Sequence, residues 1–314
     1  MTGLIDCVVV GGGPAGLTAA LYLARYRRSV RVFDSGESRA RLIPVARNVP
    51  GFPSGTSGAQ WLANLRVQLM PYGLVPESAR VQSIKAVNDG FRIDFRPMRS
   101  LQEEAVQSAF ARRVLLAAGV RDVLPVVANA SELTRRGLFR LCPICDGYET
   151  DGHRIAMLGL AKCALGHAIF MRTFTRDVSV VASDLDTLSC AEVDSAVAAG
   201  IRLIELWRLE EPGGADHGVH IISAGGAIHT FDSVYPVMGC RPEIDVLDVV
   251  IERDEEGMVK TDKHQRTSVE HLYAAGDLVN TLNQISVATG EAAIAATAIH
   301  KSLPHNPRGP DSPA

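Results

Sequence analysis

The sequence holds two cysteines separated by two residues, Cys142-Pro143-Ile144-Cys145, with Asp146 directly after them. Thiols at this spacing can close a small disulfide ring, and a helix starting at or just after the first would lower a thiol pKa below the free value of about 8.5. The thiolate is the species that attacks a disulfide. An acid in the position of Asp146 can serve the departing thiol as proton donor or acceptor, provided that partial burial raises its pKa. These are the candidate catalytic residues. The competing reading is a zinc half-site, but no second CxxC or paired histidine lies at ligand spacing, so no metal is expected. Cys7, on an apolar run, and Cys163, Cys190 and Cys240, without close partners in sequence, read as packing residues.

Redox chemistry of this kind needs a source or sink of electrons, and the N-terminus has the pattern that seats one. The run Ile5 to Val10 reads as a buried parallel strand, and Gly11-Gly12-Gly13-Pro14-Ala15-Gly16 opens an amphipathic helix reaching about Arg27. This is G-x-G-x-x-G in its strand-to-helix context. Gly11 permits the tight turn, Gly13 lets a pyrophosphate approach the backbone, and Gly16 lets the helix pack closely on the strand. A second strand, Val30 to Phe33, ends in Asp34, an acid placed to accept from adenosine ribose hydroxyls. The motif alone does not separate FAD from NAD. Near the other end, a short strand reaches Gly276 and Asp277, followed by Asn283-Gln284-Ile285 and an alanine-rich helix.

Taken in order, GGGPAG, Arg47-Asn48-Val49-Pro50-Gly51-Phe52-Pro53, the strand end Ala117-Ala118-Gly119, CPIC and the AAGD…NQI terminus resemble the low-molecular-weight thioredoxin reductases. The match spans nearly the whole chain. The resemblance implies FAD in a discontinuous domain, with Asp277 at the ribityl chain, Gln284 and Ile285 by the isoalloxazine and Asn48 near the flavin. It also implies that Cys145 faces the flavin, that Cys142 exchanges with the outside disulfide, and that the enzyme is a homodimer with a rotating smaller domain. Arg39, Arg41 and Arg47 either meet flavin phosphates or stay solvated.

The expected fold is α/β, with two doubly wound Rossmann-like domains, the smaller inserted into the larger. Residues 1–120 and 236–314 form the FAD domain, 121–235 a nicotinamide-type domain carrying the CxxC, and 304–314 a flexible tail. Residues 117–125 and 236–243 hold glycine and proline where the chain would cross between domains. In the inserted domain, strand Arg154 to Leu158 leads through Gly159-Leu160-Ala161-Lys162-Cys163-Ala164 into a helix. Leu160 and Ala161 stand where the family has glycines, and Asp184 ends the next strand where NADPH users carry basic residues. An aspartate there repels a 2′-phosphate and suits a ribose diol. NADH as donor, NADPH held by other residues, and a domain that no longer binds nicotinamide all remain open.

Composition narrows the partners. Lys plus Arg number 32 against 35 Asp plus Glu, a net charge of −3 with neither sign in a long block, which argues against nucleic acid or an anionic membrane. Residues 7–24 are apolar enough to imitate a membrane span, but four glycines interrupt them and no basic residue precedes them. Six cysteines in 314 residues do not make an extracellular disulfide scaffold and point to the cytoplasm. Three functions follow. In the first, electrons pass through FAD to Cys142/Cys145 and reduce a thioredoxin-like protein or small disulfide. In the second, a dithiol substrate is oxidised with oxygen as acceptor. CPxC and the weak nicotinamide turn resemble the microbial dithiol oxidases, although those often carry His where this chain has Asp146. The third is a non-catalytic redox-sensing flavoprotein.

Overall fold

The computed structural model describes residues 4–98, 105–127, 129–210 and 218–307. The chain divides into two compact units: Met1–Arg41, Ser57–Arg121 and Pro242–Ala314 form the first, and Leu42–Thr56 with Asp122–Arg241 form the second.

The first unit begins with β1 (Ile5–Val10), α1 (Pro14–Arg25) and β2 (Val30–Asp34). Cys7, Val8 and Val9 are fully buried, as a parallel strand covered on both faces requires. Helix α2 (Gly58–Leu69) opens on Ser57, whose hydroxyl accepts from the Gln60 amide at 3.1 Å. Strands β3 (Glu77–Val87) and β4 (Gly90–Pro97) form an antiparallel ribbon, followed by β5 (Gln107–Leu116) and the short β6 (Val120–Asp122).

The second unit holds α3 (Ala130–Arg135), α4 (Pro143–Asp146), β7 (Arg154–Gly159), α5 (Ala161–Met171), β8 (Asp177–Ala182) and α6 (Cys190–Ala198). It ends with β9 (Arg202–Glu210), β10 (Val219–Ser223), β11 (Ile228–Phe231) and β12 (Ser233–Val237). Strand β13 (Cys240–Pro242) pairs with β6 in a two-stranded ribbon at the crossing, after which β14 (Leu272–Ala274) and α7 (Ile285–Ser302) complete the first unit.

In the first sheet, β2, β1, β5 and β14 run parallel, while β3 and β4 fold back from the end of β2 onto the start of β5. The register aligns Val10, Leu116 and Ala274 across three strands, so their chain continuations emerge side by side. Helices α1 and α7 bury alanines, including Ala15, Ala19, Ala292, Ala295 and Ala296, and small side chains let two helices approach closely. In the second sheet β9, β8, β7 and β12 are parallel and β10 and β11 extend it antiparallel. Alternate residues of β7 feed separate cores: Ile155 and Met157 pack with α5 and Tyr235, and Ala156 and Leu158 with Phe139, Phe231 and Val234. Both units are thus Rossmann-like α/β layers.

Two boundaries differ from the sequence expectation. The segment Leu42–Thr56, taken above with residues 1–120, groups with the second unit. An Ala46–Thr56 bridge closes it as a loop, and Arg47 Nε lies 3.2 Å from Glu149 Oε1. The tail read from Pro304 onward is tied down at its start. Arg28 donates to the Pro304 carbonyl at 2.9 Å, and the Asn306 amide to the Tyr26 carbonyl at 3.0 Å. Residues 308–314 lie outside the described residues.

Candidate active site

Cys142 and Cys145 are joined as a disulfide. Cys142 is the extended N-cap of the single-turn helix α4, Pro143 fills its first position, and the Cys145 amide donates to the Cys142 carbonyl at 3.0 Å. Proline suits that position because its missing N–H would find no partner there. The turn behind the pair is fixed from below: Thr150, fully buried, donates to the Gly147 carbonyl at 2.6 Å, and the Phe174 ring leaves no room for a side chain at Gly147. Ile144 and Tyr148 stay exposed on either side of Cys145.

Asp146 is half-buried. Its Oδ1 accepts from the Tyr235 hydroxyl at 2.7 Å, and its Oδ2 lies 3.2 Å from an Arg140 guanidinium nitrogen. Burial pushes the Asp146 carboxyl above its ordinary value, and Arg140 and the Tyr235 hydroxyl pull against that rise. Tyr235 is fully buried on β12, and burial beside the Asp146 charge pushes its own pKa up. Arg140 is held in turn by the Ser233 hydroxyl at 3.1 Å. An acid with this environment can take and give a proton nearer neutrality than a solvated aspartate.

In the first unit, the aligned ends of β1, β5 and β14 bring Gly11, the Ala117–Gly119 segment and Gly276 into one region. The Ala117 amide donates to the Val10 carbonyl at 2.8 Å, and the Ala275 amide to the Leu116 carbonyl at 3.0 Å. Gly11 has φ 115° and faces the Ala117 carbonyl so closely that a Cβ would overlap it, so only glycine is accommodated. Gly13, Pro14, Ala15 and Gly16 start α1, which has no side-chain cap on its first amides. Asp34 is buried at the end of β2, accepting from the Gly36 amide at 2.8 Å and from Arg66 at 2.6 Å. Asp277 lies 3.6 Å from Arg39. The Gly276 amide donates to Glu291 Oε2 and the Asn280 side-chain amide to Glu291 Oε1, each at 2.8 Å. Burial raises the Glu291 pKa. Gln284 caps α7, Ile285 begins it, and the buried Asn283 Oδ1 finds no partner among the described residues.

The residues present fit a flavin dinucleotide on two observations: a strand-to-helix turn in which Gly11 and Gly16 admit no Cβ, so that bare backbone opens α1, and a buried acceptor, Asn283 Oδ1, beside the start of α7. Asn48, expected near the flavin, lies in the loop Leu42–Thr56 that groups with the second unit. Arg66, Glu291, Tyr235 and Arg140 carry no motif signal, and sequence reasoning passes over them. Among the remaining cysteines, Cys7 is buried, but Cys163 and Cys190 are exposed thiols and do not pack in a core. Among the described residues, no cluster of His, Cys, Asp and Glu could hold a metal ion, and no helix is long and apolar enough to cross a membrane.

Two Rossmann-like units, one with a glycine-rich strand-to-helix turn and the other with a Cys142–Cys145 disulfide, have the architecture of a flavin-dependent disulfide oxidoreductase. Residues 5–292 match the family model "Pyridine nucleotide-disulphide oxidoreductase", and the chain belongs to that family. Within it the likeness is to thioredoxin reductases. The chain is 24% identical over 319 residues to "Thioredoxin reductase" of Peptoclostridium litorale, covering 96% of this chain and 98% of that protein. Among solved structures, HlmI superposes with a TM-score of 0.82 at 27% identity, covering 96% of this chain and 93% of the other. Thioredoxin reductase from Streptococcus pyogenes MGAS5005 gives 0.79, also at 27% identity, covering 96% and 98%. The chain is an oxidoreductase with FAD as its cofactor, and the reading as a non-catalytic sensor falls away.

Proposed function

We propose that this enzyme passes electrons between FAD and the Cys142/Cys145 pair to reduce a thioredoxin-like protein or a small disulfide. The observation that carries the reading is the half-buried Asp146 directly after the pair, its carboxyl raised by burial and held by Tyr235 and Arg140. In the exchange, the Cys142 thiolate attacks the substrate disulfide, forms a mixed disulfide and releases one substrate thiolate. The Cys145 thiolate then attacks Cys142 Sγ, restores the Cys142–Cys145 bond and releases the second thiolate. The two protons lost when Cys142 and Cys145 ionise are returned to the two departing thiolates, one of them through Asp146 and the other from solvent. When bound, FAD supplies the electron pair that returns the cysteines to the dithiol form.

Gly11, Gly13, Pro14, Ala15 and Gly16 hold the pyrophosphate in this reading, Asp34 the ribose, and Asp277, Gln284 and Ile285 the ribityl and ring end, with Gly119 and Gly276 keeping backbone close to it. Glu291 is the positioning residue for Gly276. The reading carries with it a homodimer acting in the cytoplasm, and the exposed thiols of Cys163 and Cys190 suit a reducing compartment.

The test is anaerobic mixing of the yellow protein with a dithiol, for wild type and for Cys145→Ser. The variant should keep its flavin absorbance and lose at least about 100-fold in the rate of thiol-dependent bleaching. Bleaching at the wild-type rate would remove Cys145 from the relay. A second reading, oxidation of a dithiol substrate to its disulfide with oxygen going to peroxide, draws support from the Ala161 amide, which donates to Asp184 Oδ1 at 2.9 Å at the turn where a nicotinamide nucleotide would be seated. Stoichiometric peroxide from a dithiol in air would favour it.

A further inference from the structure

The strand-turn-helix of the second unit departs from that of the first in three linked ways. Helix α1 starts four residues after the last residue of β1, whereas α5 starts at Ala161 with only Leu160 between it and β7. In the first turn a Cβ on Gly16 would overlap the Gly11 carbonyl, yet the matching residue of the second turn is Ala164, fully buried with its methyl accommodated. The Gly159 carbonyl therefore follows a different course from that of Gly11. Finally, the Asp34 carboxylate occupies the space that a Cβ on Gly12 would fill, while the matching residue here is Leu160. The acid at the end of β8 sits instead on the first amide of the helix: Ala161 N–H donates to Asp184 Oδ1 at 2.9 Å.

Phosphate binding at such a turn needs bare backbone amides at the positive end of a helix and no side chain in the approach. Here the first amide of α5 already holds a carboxylate, which also places a negative charge where the pyrophosphate would come. Leu160, 68% exposed, projects beside it. Lys162, the nearest cation on α5, pairs with Glu192 at 3.3 Å. The residues present do not fit a nicotinamide dinucleotide.

We infer that Leu160 and Asp184 are specificity-determining residues that keep NADH and NADPH from the strand-turn-helix of the second unit. The inference rests on the exchange reading for its meaning, but the exclusion is measurable without it.

The test is calorimetric titration of the FAD-loaded protein with NADH and with NADPH, each to about 1 mM. Wild type should show no saturable heat with either. Leu160→Gly/Asp184→Ser, which keeps a small hydrogen-bond acceptor for Ala161, should gain at least about tenfold in affinity. Saturation of the wild type at micromolar nucleotide overturns the proposal, as does a folded, yellow double variant that still binds neither. Should that variant lose its flavin, Asp184→Asn carries the same two outcomes. Thiol titration of Cys142 and Cys145 after dithiol treatment, in the same samples without nucleotide, reports on the exchange alone. Failure there with nucleotide still excluded would fell the functional reading and leave this inference standing.

Discussion

Removing the Tyr235 hydroxyl tests the role of Asp146 with a change of one atom. Tyr235→Phe keeps a fully buried ring in the β12 core and deletes only the 2.7 Å hydrogen bond to Oδ1. A hydrogen bond to a charged group is worth about 1.5–3 kcal/mol. Asp146 keeps its Arg140 partner and leaves 26% of its side chain in solvent, so the low end of that range applies. A loss of about 1.4 kcal/mol from the carboxylate form raises the Asp146 pKa by about one unit. In the reductive direction the protonated acid is the working form. Activity therefore falls as pH rises through the Asp146 pKa, and the variant should move that limb about one unit toward higher pH. Arg140 opposes the burial shift more strongly than the tyrosine hydroxyl does, so Arg140→Met should move the limb farther. The assay is the second-order rate constant for reduction of a chromogenic disulfide by the dithiol-prereduced, desalted enzyme between about pH 5 and 9, with a circular dichroism melt to confirm folding. An unmoved limb in both variants would refute Asp146 as the proton carrier.

Two further predictions concern the frame that holds the site. Arg28 is buried and donates to His300 Nδ1 at 3.0 Å, to the His300 carbonyl at 3.2 Å and to the Pro304 carbonyl at 2.9 Å, so Arg28→Ala should cost about 2–3 kcal/mol in urea unfolding; a loss below 0.5 kcal/mol would show that the terminus after α7 is held by something else. Glu291 has a folded pKa raised above its unfolded one, so the native state binds the extra proton, and stability should decline as pH rises above about 4.5 through the folded value. Glu291→Gln should flatten that decline in unfolding titrations between about pH 4.5 and 7, and an unchanged slope would place the titration elsewhere.

The sequence was readable wherever neighbours along the chain do the work. The glycine turn at Gly11–Gly16, the acid at Asp34 and the CPICD segment are local patterns, since a tight turn or a two-residue cysteine spacing needs no distant partner. What escaped is what the fold brings from far away. Tyr235 stands 89 residues from Asp146, and nothing around it in sequence marks a buried tyrosine as the partner of an acid. Glu291 reaches Gly276 only because α7 returns along the sheet, and Arg66 reaches Asp34 from α2. The loop Leu42–Thr56 follows a strand of one unit and packs with the other, a choice made by contacts that no composition shift announces. At Gly159 the sequence shows a degraded glycine pattern, but the Asp184 carboxylate reaches the helix amide only through the folding of β8 beside β7.

The pairing of β14 with Val114–Leu116 of β5 gives the chain a fixed order of completion. Synthesis delivers β1, β2 and β5 early and then the whole inserted sheet before Leu272–Ala274 leaves the ribosome. For roughly 10–30 s at ordinary elongation rates, the nascent nucleotide-binding layer carries an uncovered strand edge and lacks the helix that will pack on α1. The inserted unit, second in the chain to begin, is the first able to finish. A late truncation between β13 and β14 would thus leave a closed cysteine-bearing unit attached to an open, aggregation-prone host sheet.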